Sequence, residues 1–180
     1  MVWRNTKERY GSLAIGLHWA ILIVLALVVT LMELRGLFPK GSDPRDAMKA
    51  GHYMFGLLVL ALALVRLGVR LIGPTPASVP GPTWQHWLAG IVQAGLYLVM
   101  LGMPLAGWML LSAGGEAAPF FGTELPALFG PDKVLADTLE EIHETGASAA
   151  YVLAGLHTVA ALYHHYVVRD DALRRILPPR

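Results

Sequence analysis

The chain has 180 residues, 55% of them hydrophobic and only 15% charged, with 14 basic residues against 13 acidic ones. A mean hydropathy of +0.52 takes it out of the ordinary soluble class, and no nucleic-acid partner is expected of it. Having no cysteine, it can form no disulfide, no iron–sulfur cluster and no haem attachment through C-x-x-C-H, so any haem must be held non-covalently.

Four apolar stretches are each long enough for a hydrocarbon core that needs about 20 helical residues. The first runs from Leu13 to Met32 and carries His18. It is long, lacks a small-residue cleavage site and is followed by "MELRGLFPKGSDPRD", so it reads as a retained helix and not a secretory signal. The second, Tyr53 to Ile72, has His52 at its mouth and Arg66 and Arg70 near its end. "GPTPASVPGPTWQ" then breaks the helical pattern with Pro and Gly and predicts a short turn. The third, Trp87 to Leu111, is preceded by His86 between Trp84 and Trp87, which reads as an interfacial histidine among interface aromatics. Beyond it come the breaker signals "AGGEAAP" and "GPDK", and "VLADTLEEIHE" resumes a helical pattern leading into the fourth stretch, Gly146 to Val168. With no internal repeat or low-complexity tail, residues 1–180 are expected to form a single domain, an all-α, integral membrane, antiparallel four-helix bundle in contact with lipid.

Four helices put both termini on one side. That side holds Arg4, Lys7, Arg9, Arg66, Arg70, Arg169, Arg174, Arg175 and Arg180, while the other holds Arg35, Lys40, Arg45, Lys49 and Lys133. The excess predicts cytoplasmic termini and outward-facing first and third connections.

An ionisable side chain inside a membrane helix marks a functional site or a bundle-facing contact by default. His143 and His157 are fourteen residues apart, so on a helix they point within about 40° of each other at levels about 21 Å apart. His164, seven residues on, stays on that face to within about 20°, whereas His165 is about 100° away and is not expected to be a ligand. Depth pairs His52 with His143 on the outer side and His18 with His157 on the inner side. Two such pairs fit two haems, each with two axial histidines, and leave no coordination position for oxygen, which is the arrangement of an electron carrier. A single zinc site is excluded by the separation of His143 from His157. A proton relay through His164 and His157 leaves His18 and His52 unexplained. Glycines beside the histidines (Gly16, Gly51, Gly56, Gly146 and Gly155) would make room for a flat macrocycle. Arg66 and Arg70 at the inner level, and Arg35, Lys40, Arg45 and Lys49 at the outer level, are candidates for haem propionates. His164, near the cytoplasmic boundary, could hydrogen-bond a quinone carbonyl and relay its proton, or serve as an ordinary interfacial histidine.

The motifs "IGLHW", "MELRGLFP", "LVRLGVRLIGPTP", "EIHET" and above all "GLHTVAALYHHY" together resemble the bacterial cytochrome b561 proteins of the inner membrane over nearly the whole chain. The resemblance implies a bundle holding two non-covalent b haems with His18, His52, His143 and His157 as axial ligands. It also implies transfer of electrons from periplasmic superoxide to ubiquinone, with His164 at the position associated with the quinone. One departure lies in helix three, where relatives carry early histidines and this chain reads "LAGIVQAGLYL". For superoxide, a locally positive entry is required. The outer side has ten acidic residues against five basic ones, so Arg35 and Lys49, in the loop ending at His52, are the residues expected to steer the anion, with Arg70 assigned to the inner cofactor. Two other functions compete with this one: a cytochrome b subunit taking electrons from a partner dehydrogenase or hydrogenase, and a transporter or assembly factor using its histidines for protons.

Overall fold

The computed structural model describes residues 3–177; Arg180, counted above in the charge balance, lies outside them. Four long helices follow one another: α1 (Ser12–Leu34), α2 (Asp43–Ile72), α3 (Thr83–Ala113) and α4 (Lys133–Tyr163). Each is long and apolar enough to cross a membrane, and the helical state satisfies every backbone polar group where lipid offers no partner. The molecule is a multi-pass membrane protein built as a helical bundle.

Helix α2 begins about ten residues before its apolar run. Ser42 is its N-cap, Pro44 sits in the first turn with a pre-set φ, and Asp43 and Asp46 place negative charge at the positive end of the helix dipole. At 30 residues the helix is about 45 Å long, so its polar first turns project beyond a hydrocarbon core of about 30 Å. His52 therefore lies more than two turns inside the helix instead of at its mouth. Helix α4 likewise starts early, at a cap in which the Asp132 carboxylate accepts the Leu135 N–H at 3.0 Å.

Helix α1 packs on α2, α2 on α3 and α3 on α4, but neither α1 nor α2 brings its backbone close to α4 along any length. The bundle thus has a seam down one side of α4. At the end where the first and third connections lie, part of the third connection packs on α2 and α3. Ala118–Phe120 (β1) pairs antiparallel with Thr123–Leu125 (β2) through a two-residue turn, Phe121–Gly122, with positive φ at both positions (46° and 85°). That is the turn whose twist suits a hairpin. Ala118 is buried against Leu57 and Leu111, with Tyr53, Trp108, Phe120 and Leu125 around them. The rest of the connection is tied down: Trp108 Nε1 donates to the Pro126 carbonyl (3.1 Å), and the buried Ser112 hydroxyl donates to the Trp108 carbonyl (2.9 Å) while accepting the Leu128 N–H (3.1 Å).

At the other end the terminal segments and the 73–82 connection close over one another. The Leu13 N–H reaches the Trp3 carbonyl and the Ala77 N–H reaches the Lys7 carbonyl. Trp19 Nε1 donates to the Ile176 carbonyl at 2.8 Å, and Arg175 donates to the Ala77 carbonyl. Gly11 is the joint of this cap. Its N–H donates to Asn5 Oδ1 at 2.9 Å, and a Cβ there would run into the backbone of Trp3 and Arg4. Gly11→Ala is expected to lift the amino-terminal segment and lower stability by about 1–3 kcal/mol, read as an earlier thermal midpoint in detergent with the visible spectrum unchanged.

Candidate functional site

The seam beside α4 is where the histidines meet. His52 of α2 and His143 of α4 face each other with ring centroids 6.1 Å apart and planes at 76°. His18 of α1 and His157 of α4 do the same at 6.3 Å and 64°. An iron held between two opposed imidazole nitrogens at about 2 Å each puts the ring centroids about 6 Å apart, so both pairs have the spacing of axial ligands. Fourteen residues of α4 separate the two levels, about 21 Å along the axis. Among the described residues no three His, Asp or Glu side chains converge on a point, so two imidazoles per level could hold a metal only if a macrocycle supplied the remaining ligands.

The surroundings fit such a group at the level of His52. A partly open cleft is lined by His52, Gly56, Pro104, Gly107, Trp108 and His143, among others. His52 Nδ1 lies 3.1 Å from the Val28 carbonyl, a hydrogen bond that puts the proton on Nδ1 and leaves Nε2 free as a ligand. His143 Nδ1 is buried beside the Met103 backbone, without a hydrogen bond of good geometry. Gly107 is close enough to the His143 ring that a Cβ would sit 3.3 Å from Cε1. The glycines divide into two kinds. Nothing lies within 4 Å of where a Cβ would be at Gly16, Gly56 and Gly155, whereas Gly51 faces Leu31 and Gly146 faces the Met103 sulfur, so these last two serve helix packing.

The cations sort themselves as sharply. Arg66 donates to the Ala14 carbonyl of α1 at 3.1 Å, and its charge bears on both His18 and His157. Arg70, one turn on, turns to α3 instead, reaching Gln93 Oε1 at 3.4 Å with its guanidinium 5.9 Å from the Tyr97 ring. The spacing of the two arginines in the sequence could not tell which faced the histidines. At the opposite end Arg45 is occupied with the Arg35 and Phe38 carbonyls, both at 3.0 Å. The Arg35 charge acts on His52 and Tyr53, and neither Arg35 nor Lys49 forms an ion pair among the described residues.

His164 lies where α4 gives way to one π-helical turn, His164–Val168, closed by Arg169 in the left-handed conformation (φ 62°). This turn brings Asp170 back onto the histidine, with Nδ1 donating to Oδ2 at 2.5 Å. Burial pushes the Asp170 carboxyl up, but the bonds from His164 and the Ala172 N–H, with the Arg175 charge, outweigh it and hold the group below its ordinary value. The pair therefore stabilises the turn at neutral pH, and that contribution is lost only as pH falls through the lowered value. His86 is apart from all this, near the Gly81 carbonyl (3.2 Å), and His165 Nδ1 is buried without a partner.

Residues 9–179 match the family model described as prokaryotic cytochrome b561. The chain is 36% identical to cytochrome b561 homolog 1 of Escherichia coli (strain K12) over 96% of its own length and 99% of that protein. It is 34% identical to the probable superoxide oxidase CybB of Yersinia pestis, over 96% and 98% of the two chains, and 33% identical to cytochrome b562 of Cereibacter sphaeroides, over 95% and 96%. Paired histidines across a seam in a four-helix membrane bundle, together with these end-to-end similarities, place the chain in the prokaryotic cytochrome b561 family, whose members bind haem b and transfer electrons in the membrane.

Proposed function

We propose that this protein is a superoxide:ubiquinone oxidoreductase of the bacterial inner membrane, with both termini cytoplasmic. His52 and His143 would hold an outer haem b, and His18 and His157 an inner one. When bound, haem would supply reversible one-electron chemistry. The chain's own part is to set the two pairs at separate depths, exclude water from the seam, admit a small anion at one end and handle protons at the other.

The observation that carries this reading over a docking subunit is the narrow cleft at the outer end, lined by His52 and His143. There the hairpin packs on Leu57 and Leu111, two of the residues that line the cleft holding His52 and His143, and Arg35 acts beside His52. A small cleft beside Arg35, which forms no ion pair among the described residues, suits a small anionic donor better than a broad protein partner. The similarity to a protein named a probable superoxide oxidase supports the same donor. His164 supports the other half, since an imidazole held by a carboxylate is chemically suited to exchange a proton with a quinone carbonyl.

The test is stopped-flow absorbance of the oxidised protein mixed with superoxide, with and without a ubiquinone analogue, using dithionite to fix the full haem signal. Rapid appearance of reduced b-type bands, then reoxidation by the quinone, is expected. In His164→Ala the first step should be unchanged and the reoxidation about 10–100-fold slower. Full reduction by dithionite with none by superoxide would discard the enzyme and require a protein donor.

A further inference from the structure

We infer that Asp170 is a positioning residue for quinone reduction, acting through His164 as the carboxylate half of a proton-delivery pair; this rests on the quinone reading of His164. The geometry is specific. The pair is mostly buried, with the two side chains 21% and 14% exposed, and the carboxylate is itself held on both oxygens, Oδ2 by His164 Nδ1 and Oδ1 by the Ala172 N–H at 2.9 Å. The Asp170 N–H also returns to the His164 carbonyl at 3.2 Å, so backbone and side chain fix the same register.

The local fold is built to make this contact. In an uninterrupted α-helix, residues six apart point about 120° away from one another. The π-helical turn and the left-handed Arg169 reverse the chain so that residue 170 meets residue 164. The segment beyond is then pinned by the Trp19 to Ile176 bond and by Arg175 to Ala77. Around the pair stand the Tyr163 ring, edge-on to His164 at 6.1 Å, and the Arg175 charge, while Asp171 is engaged by Arg174 at 3.5 Å.

The chemistry asks for such a pair. Two superoxide anions each give up one electron and leave as dioxygen, and one ubiquinone takes up those two electrons and two protons to leave as the quinol. With Nδ1 committed to the carboxylate, Nε2 is the atom that gives a proton to a quinone carbonyl, and Asp170 holds the ring's orientation and tautomer while it is reloaded from water.

Asp170→Asn keeps the size of the side chain and removes the charge. With superoxide as donor and a ubiquinone analogue as acceptor, its kcat is expected to fall about 10–100-fold with KM for the quinone within about threefold. Both haem bands and the rate of haem reduction by superoxide should be unchanged, and Asp170→Glu should recover part of the loss. A raised KM with unchanged kcat, or loss of a haem band in Asp170→Asn, would make Asp170 a binding or folding residue and overturn the assignment. Normal turnover in Asp170→Asn beside a slow His164→Ala would also overturn it while leaving the quinone site at His164. Normal turnover in both would remove the quinone reading itself.

Discussion

His143→Ala is expected to purify with one haem in place of two and to lose reduction by superoxide altogether. The reason lies in the seam. Helices α2 and α4 do not pack against each other at this level, and the His52 to His143 pair is what spans the gap. Gly107 lets the His143 ring lie close against α3. On the proposed ligation, removing the ring takes away one of the two residues that would hold the outer haem, and a cofactor's binding energy is part of the folded state's stability, so thermal stability should drop as well. The inner pair sits about 21 Å away along α4 and should survive. Total haem by the pyridine haemochrome assay should fall by about half, with added imidazole restoring part of the outer band by filling the vacated space. His143→Ala retaining two haems with unshifted bands would show that the outer ligand is another residue.

How much of this was legible beforehand follows from what each feature depends on. The spans were legible because hydropathy over about 20 residues is a direct consequence of lipid contact. The depth pairing of His18 with His157 and His52 with His143 needed only helical rise and alternating direction, and the rings do face each other in those pairs. The polar starts of α2 and α4 were understated because hydropathy is blind to helix that stands in water; Ser42, Pro44 and Asp132 were the signals that could have extended them. The hairpin was hidden because Phe121 occupies a left-handed position that sequence rules reserve for Asn, Asp or Gly, so "PFFGTE" reads as plain loop. Arg66 and Arg70 differ in partner through a rotation of about 40° between residues four apart, too fine for a charge count. The His164 to Asp170 contact was out of reach, because a period of 3.6 residues carried through Val168 sends the two side chains apart.

Reversing two charges at the outer end, Arg35→Glu with Lys49→Glu, is expected to slow the bimolecular reduction by superoxide about 10–100-fold at low salt while dithionite still reduces both haems fully. The end that carries the first and third connections is acidic as a whole, so attraction of an anion there has to be local. Of the cations at this end, Arg45 is held by two carbonyls and serves the loop, whereas Arg35 acts on His52 and, against the charges of Glu116, Asp46 and Glu140, on Tyr53. Exposed Glu141 and Glu144 flank His143 on the far side and oppose it. A steering field of this size is damped beyond a Debye length of about 10 Å at 0.1 M salt, so raising ionic strength should slow the unmodified protein and leave the double variant level or slightly faster. The two salt curves should therefore converge. If they run parallel, or if the variant matches the unmodified protein at low salt, the anion enters elsewhere and the Arg35 side of the cleft is only a topology-setting cation patch.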